Sequence, residues 1–319
     1  VQPQIEALGG RVYKINPPSA KGILKHEMSR FFAAHKNEWE ALHIHAPHFA
    51  VFIAPQAKKA GIKKICCHCH TTWYSLFPKN EFRNRLLAAP VKCLAGTRFA
   101  CGTDAGKFWF KDNFYVLANA VDCAAFRFDE KRREKARQSL GLGDCLVCGN
   151  VGRLYPPQKN HPFILKIFAE VKKQRSDAKL LLVGAEEEPS LLSLAKKLEI
   201  EKDVLFLGQR RDVADLLFAM DVFLFPSLRE GLPVAAIEAQ ASGLPVLMAS
   251  TITREALVAP NAKMLSLEAS PREWANAAVS AALEARKDNY DIMKAAGWDI
   301  KDRAARLAEY YRTGVFRDF

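Results

Sequence analysis

Two carboxylates and two cations in the second half of the chain have the types and spacing needed to bind a phosphate-bearing ligand. Glu230 and Glu238 lie within Phe225 to Val246, which reads FPSLREGLPVAAIEAQASGLPV, and Arg153 and Lys159 lie in the earlier stretch GRLYPPQKN. Arg and Lys bind phosphate oxygens, whereas a carboxylate accepts hydrogen bonds from vicinal hydroxyls such as those of a ribose. The residues therefore indicate a cleft for a nucleotide diphosphate.

Each of these stretches follows an apolar run that predicts a strand and precedes a predicted helix. The strands are Leu146 to Asn150 and Val222 to Phe225, and we expect Asn160 to cap the first helix and Pro233 to begin the second. In an open parallel sheet, ligands bind outside the carboxyl ends of the strands, close to helix N-termini. Glu238 falls inside the second helix, so we expect its carboxylate to face the same cleft.

Strands alternate with helices along the whole chain, which is typical of parallel α/β layers. With 319 residues the chain exceeds the length of about 250–300 residues at which single cores stop growing, so we predict two domains. The first spans residues 1–120, the second spans 121–299, and 300–319 pack back on the first. The elements predicted in the first domain include strands at Arg11 to Ile15, Ala41 to His45 and Ile62 to Cys69, and helices at Lys21 to Lys36 and Glu81 to Ala95.

The formal net charge of +12 is concentrated in the first half of the chain, where residues 1–118 carry 17 Lys and Arg against 7 Asp and Glu. This asymmetry indicates an anionic partner, with ordinary solvated charge as the alternative. No nucleic-acid-binding motif accompanies it, so we expect no nucleic acid partner and favour an anionic membrane surface. The Glu81 to Ala95 helix combines Arg83 and Arg85 with Phe82 and Leu86, which suits either such a surface or a plain solvated face.

Apolar runs are far shorter than the roughly 20 residues that cross a bilayer, and we find no signal-peptide pattern. We expect a cytoplasmic protein, possibly peripheral on the inner face of the cell membrane, with eight free cysteines. No zinc site is expected at Cys145 and Cys148, which lack a second pair. Nor is one expected in Cys66 to His70, because adjacent strand residues point to opposite faces. His43 and His45 share one face of their predicted strand. Either one of them reaches the cleft, or both are structural residues.

Several of these motifs together resemble a known family. FPSLREGLPVAAIEAQASGLPV resembles the E-x7-E signature of retaining GT-B glycosyltransferases of family 4, whose α/β fold has two Rossmann-like domains with parallel sheets. VGRLYPPQKNH, LLLVG and FLGQRRDVADLLFAMDVFLFPS resemble the rest of that family's donor domain. The resemblance is clear over about residues 100–280 and is closest to bacterial enzymes that build capsular, exopolysaccharide or lipopolysaccharide chains.

The resemblance implies a role for each matching residue. Arg153 and Lys159 would bind the donor diphosphate, Glu238 the ribose, and Glu230 the transferred sugar. CHCHTTW resembles the strand-end histidine motif, which places His70 near the anomeric centre. The implied catalytic residues are His70 and Glu230, and the implied donor-binding residues are Gly152, Arg153, Lys159, Gln209, Arg210, Gly231, Leu232 and Glu238.

The resemblance also implies the chemistry. The donor would be a nucleotide-diphosphate sugar, with UDP as the nucleotide that the family usually uses. The acceptor would be lipid-linked or a saccharide. No D-x-D motif is present, so we expect no metal and no cofactor. The leaving phosphate itself would assist deprotonation of the acceptor hydroxyl. Two other functions remain open, namely a non-catalytic nucleotide-sugar-binding fragment and a GT-B sugar-nucleotide epimerase.

The sequence departs from the family in two places. Leu117 to Asp122 reads LANAVD, where the family usually has P-N-G-(V/I)-D. The opening β-α-β of the first domain, with its glycine-rich acceptor loop, is not recognisable. In a sheet of order 3-2-1-4-5-6 this leaves a gap between Arg11 to Ile15 and Ala41 to His45. We therefore expect either a longer natural chain or a first domain that pairs its strands differently.

Overall fold

A computed structural model describes residues 2–16, 27–154, 157–185 and 188–317. The start of the predicted Lys21 to Lys36 helix and the middle of the GRLYPPQKN loop lie outside these residues. The described chain forms two sheets of parallel strands flanked by helices, so the prediction of an α/β fold with two parallel sheets is confirmed.

The first sheet has the strand order β1-β2-β3-β4, with all neighbouring strands parallel. Its strands are β1 (Ala41–Ile44), β2 (Lys64–Cys69), β3 (Thr97–Ala100) and β4 (Tyr115–Val116). The helices of this half are α1 (Gln2–Ala7), α2 (Glu27–Ala34), α3 (Ala50–Lys59), α4 (Pro78–Ala88), α5 (Val91–Leu94) and α6 (Thr103–Phe110).

Two predictions for this half are wrong. Residues 11–16 form neither helix nor strand, and Tyr13 instead packs edge-on against Phe31, with 5.3 Å between ring centroids. β1 is the edge strand of the described sheet and pairs with β2, so no strand lies on the side where the gap is predicted, and the expectation of a longer natural chain or a different strand pairing stays a prediction. The predicted Glu81 to Ala95 helix is two helices, α4 and α5, separated at Pro90, whose ring and missing N–H do not suit a helix interior.

The second sheet has the order β10-β9-β8-β5-β6-β7, again with parallel neighbours. Its strands are β5 (Val147–Val151), β6 (Lys179–Val183), β7 (Val204–Phe206), β8 (Val222–Phe225), β9 (Val246–Ala249) and β10 (Ala262–Leu265). The helices are α7 (Glu130–Ser139), α8 (His161–Gln174), α9 (Pro189–Lys197), α10 (Val213–Ala219), α11 (Val234–Ala241), α12 (Pro271–Ala282) and α13 (Tyr290–Ala295). The chain order reverses between β5 and β8, which makes their carboxyl ends the crevice of this sheet.

The last helix, α14 (Ile300–Thr313), lies against the first sheet. Tyr310 and the following Phe316 pack on Phe99 of β3, with ring centroids 5.1 Å and 5.0 Å from it. The chain passes between the two sheets where Val121 pairs with Asp299. The exact domain boundaries at 120 and 299 stay predictions.

In the part of the chain that the structure describes, no helix combines the length and the apolar character needed to span a bilayer. All eight cysteines are free, as predicted.

Candidate active site

The loops that follow β5 and β8 lie side by side at the crevice of the second sheet. The Leu228 backbone N–H donates to the Gln158 carbonyl oxygen at 2.9 Å, and the Gln158 side-chain amide donates to the Arg229 carbonyl oxygen at 2.8 Å. These contacts join two stretches that are about 70 residues apart in the sequence. The predicted diphosphate loop and the predicted sugar loop therefore form one surface.

Lys159 and Glu230 form an ion pair at the centre of this surface. Lys159 Nζ lies 2.8 Å from Glu230 Oε1, and the two side chains are only 19% and 8% exposed. Lys159 Nζ also lies 4.6 Å from the centroid of the Phe225 ring. Separating a partly buried ion pair leaves an uncompensated charge on each side chain. The pair therefore keeps both side chains in place.

Gly152 and Arg153 lie beside this pair, at the end of β5. The Gly152 N–H donates to the Val183 carbonyl oxygen at 2.8 Å. A Cβ atom at Gly184 would lie 1.9 Å from the Gly152 carbonyl oxygen, so the loops after β5 and β6 approach at backbone distance. The Arg153 side chain is exposed and has no hydrogen bond or ion pair with another described residue. Its guanidinium is available to an anionic ligand.

Glu238 lies inside α11, as predicted, and its carboxylate has no hydrogen-bond or ion-pair partner among the described residues. Burial raises the pKa of Glu238 from an ordinary 4.5 to about 7. A half-buried carboxylate without a partner is costly, and the hydroxyls of a bound ligand would remove that cost. Leu232, just before α11, is buried.

Gln209 and Arg210 lie at the same sheet edge but follow β7, two strands away from β5. Both are exposed, and the Arg210 guanidinium forms two hydrogen bonds to the Asp212 carboxylate, at 2.8 Å and 2.5 Å. The structure does not bring these two residues into contact with the Lys159–Glu230 pair.

His70 follows β2 in the first sheet and uses both ring nitrogens. Its Nδ1 lies 3.0 Å from Asn119 Oδ1, and its Nε2 lies 2.8 Å from His45 Nδ1. Burial, and then the neighbouring His45, lower the pKa of His70 to about 4, so the ring is neutral at pH 7. For the imidazole to contact a donor sugar, His45 has to turn away.

The two halves of the cleft touch at Gly231. A Cβ atom at this position would lie 2.0 Å from the His70 carbonyl oxygen and 3.0 Å from Thr71 Cα. The Arg229 guanidinium lies 5.5 Å from the centroid of the Trp73 ring. The absence of a side chain at Gly231 therefore allows the loop after β8 to meet the loop after β2, beside both predicted catalytic residues.

Asn119 and Glu255 contribute to the cleft but are not among the predicted site residues. Asn119 orients His70, and the LANAVD segment was the available signal. Glu255 accepts hydrogen bonds from the Thr103 N–H at the start of α6, at 2.9 Å and 3.1 Å, and so joins the second domain to the first. Asn160 occupies the N-cap position of α8, as predicted, but it is left-handed (φ 59°) and its side chain makes no cap hydrogen bond. Asn tolerates that conformation better than most residues.

Two parallel α/β sheets that meet at a cleft define the GT-B class of glycosyltransferase folds. The crystal structure of HepE from Anabaena, in complex with UDP and glucose, superimposes with a TM-score of 0.80 at 21% identity, covering 98% of this chain and 88% of that one.

The family described as glycosyl transferases group 1 matches residues 146–283. Glycosyltransferase EpsF of Bacillus subtilis (strain 168) is 30% identical over 99% of this chain and 86% of that protein. A UDP-Gal:alpha-D-GlcNAc-diphosphoundecaprenol alpha-1,3-galactosyltransferase of Escherichia coli is 28% identical over 74% of this chain and 64% of that protein. The chain belongs to the group 1 glycosyltransferases and is an enzyme of that kind.

Proposed function

We propose that this glycosyltransferase moves a sugar from a UDP-sugar to a lipid-linked or saccharide acceptor in cell-surface polysaccharide synthesis, with retention of anomeric configuration. The observation that carries the proposal is the Lys159–Glu230 pair, held at 2.8 Å beside Gly231 and the His70 backbone. The names of the Escherichia coli relative and the HepE complex support the choice of UDP. The relative's diphosphoundecaprenol substrate supports a lipid-linked acceptor.

In this proposal the second domain binds the donor. Arg153 and Lys159 bind the diphosphate at the N-terminus of α8, where unpaired backbone N–H groups also favour negative charge. Glu238 accepts hydrogen bonds from the ribose. Glu230, with the backbone of Gly231 and Leu232, binds the transferred sugar and its phosphate. Gln209 and Arg210 line the base at the outer end of the site.

The reaction breaks the bond between the sugar C1 and the diphosphate oxygen and forms a bond between C1 and the acceptor oxygen on the same face. The acceptor proton passes to the departing phosphate oxygen. Arg153 and Lys159 stabilise the negative charge that develops on the leaving UDP, without a metal ion on the diphosphate. His70 lies next to the sugar from the side of the first domain.

The surface of α4 supports docking on an anionic membrane, where a lipid-linked acceptor is found. Phe82 and Leu86, four positions apart, are 71% and 58% exposed, and Arg83 and Arg85 beside them are also exposed. Apolar side chains among basic ones are typical of helices that lie in a membrane interface. We expect the double variant Phe82→Ser, Leu86→Ser to lose most co-sedimentation with phosphatidylglycerol vesicles while keeping its melting temperature. Equal sedimentation of the two proteins would contradict this docking surface.

Stereochemistry tests the central claim. The purified protein is incubated with UDP-glucose or UDP-galactose, each with a diphosphoundecaprenol-linked sugar, and the anomeric configuration of the new linkage is read by NMR. We expect an α-linked product from these α-linked donors. A β-linked product would contradict retention, transfer from GDP-sugars alone would contradict the nucleotide, and release of free epimerised sugar would indicate an epimerase.

A further inference from the structure

One face of the first sheet carries four histidines. Side chains alternate along a strand, so His68 and His70 share a face of β2 and its continuation, and His43 and His45 share a face of β1. Strand register places His43 opposite Cys66, on the same face. The ring centroids of His43 and His45 are 4.3 Å apart, and those of His68 and His70 are 4.1 Å apart. Two neighbouring strands thus bring together rings that are distant in the sequence.

The innermost of these rings, His68, is only 3% exposed. Neither of its ring nitrogens makes a hydrogen bond of normal geometry with a described residue, although the Leu117 backbone interacts with this ring, and the buried Nε2 of His43 also lacks a partner there. Buried polar atoms without partners are costly, so a cluster that holds several of them calls for a ligand. The missing ligand has to accept lone pairs or donate protons to several imidazoles at once.

The contacts around the cluster are compatible with one set of tautomers in which the inward nitrogens carry lone pairs. Asn119 Oδ1 accepts from His70 Nδ1–H, which leaves His70 Nε2 to accept from His45 Nδ1–H. His45 Nε2 is then a lone pair. The Nδ1 of His43 lies 2.5 Å from the Tyr311 hydroxyl; when Nδ1–H donates to that oxygen, His43 Nε2 is a lone pair too, and when the hydroxyl donates instead, a metal ion would displace the proton on Nε2. With the first of these tautomer sets, the cluster offers lone pairs to a ligand.

We propose that His43, His45 and His68 bind a divalent transition-metal ion of the Zn²⁺ type. One ligand atom from each residue lies within 4.8 Å of the other two. Imidazoles suit Zn²⁺ and its first-row neighbours, and a site of three histidines keeps a fourth position for water. Tyr311 and His70 would orient His43 and His45 from behind, as outer partners of ligating histidines usually do.

This site is separate from the donor diphosphate, whose charge is met by Arg153 and Lys159 in the second domain. Its three ligands belong to β1, β2 and the residue after β1, and Tyr311 belongs to α14. A bound ion would therefore stabilise the packing of α14 on the first sheet, through the contact of Tyr311 with His43. It would also fix the ring of His45, which contacts His70.

Metal binding to the intact protein tests the proposal. The protein is stripped with EDTA, and Zn²⁺ and Co²⁺ are then titrated in separately, by calorimetry and by the visible absorption of bound Co²⁺. We expect one ion per chain and a rise in melting temperature with Zn²⁺. His45→Asn should weaken Zn²⁺ binding by at least 100-fold, whereas the control His35→Gln, outside the cluster, should bind like the wild type. Absence of stoichiometric binding, or unchanged affinity in His45→Asn, would overturn the proposal.

Two further variants separate ligation from folding. His68→Leu removes a buried ring whose nitrogens make no hydrogen bond of normal geometry, so in EDTA it should melt no lower than the wild type, and Zn²⁺ should not stabilise it. Tyr311→Phe keeps all three ligands but removes the outer partner of His43, and we expect Zn²⁺ affinity to fall about 10- to 100-fold. Zn²⁺ stabilisation of His68→Leu equal to that of the wild type would also overturn the proposal.

Discussion

The two halves of the cleft are assembled in different ways. In the second domain, Lys159, Glu230 and Glu238 come from two short stretches at one sheet crevice. In the first domain, His70 depends on His45 and Asn119, which follow other strands, and the histidine face exists only because β1 pairs with β2 in one register. A site built from contiguous stretches is visible in the sequence, whereas one built from strand register is not.

Lys159→Met should break the donor half most severely. In the proposed site it removes the cation beside the leaving diphosphate, and it leaves the 8%-exposed Glu230 carboxylate without its partner. Loss of one group that stabilises developing charge costs about 10²- to 10³-fold in kcat. Steady-state kinetics with UDP-sugar would show this loss, while Lys166→Met, an exposed position on α8, would keep wild-type rates. Equal activity of the two variants would remove Lys159 from the proposed site.

The elements of the second domain were the most predictable because its strands are buried on both faces and appear as continuous apolar runs. The predicted strand Val222 to Phe225 is confirmed to the residue, and the predicted strand Leu146 to Asn150 forms one residue later, at Val147–Val151. The strand β10 was missed, since Ala262–Leu265 is short and includes an exposed lysine.

The first domain was harder to predict because its decisive contacts are long-range. Arg11 to Ile15 alternates like a strand, yet no partner strand pairs with it among the described residues. The expectation of no metal at Cys66 to His70 rests on a single strand, where adjacent residues do point apart. It could not include His43 and His45, because pairing register is a property of the folded sheet. The roles assigned to the ten site residues stay predictions.

Gly231→Ala tests the joint between the two halves. A Cβ atom there would lie 2.0 Å from the backbone oxygen of His70, so the two loops would have to move apart by about 1 Å or more. Misplacement of that size costs about 100-fold in kcat/KM. Gly96→Ala is the control, since its nearest contact would be an ordinary 3.6 Å. Full activity of Gly231→Ala would show that this contact is not part of the working enzyme.

Glu238→Gln tests the donor half of the cleft through the pH dependence of folding stability. Burial raises the pKa of Glu238 from 4.5 to about 7, so the folded protein binds this proton more tightly than the unfolded chain does. Well below pH 4.5, Glu238 is protonated in both the folded and the unfolded state, so this group costs the wild type no stability. As pH rises towards 7 and above, the folded state has to bear a half-buried charge, so the wild type loses stability relative to the glutamine variant.

The expected loss is about 1–3 kcal/mol, because each pKa unit corresponds to about 1.4 kcal/mol and the side chain is only half-buried. Urea unfolding of both proteins at pH 4.5 and pH 8 measures it, with the exposed Glu134→Gln as control. Bound UDP should reduce the difference, because ribose hydroxyls would then satisfy the carboxylate, and the variant should bind UDP about tenfold more weakly. A variant with wild-type pH dependence and wild-type UDP affinity would show that Glu238 has another partner, and the ribose role would then be wrong.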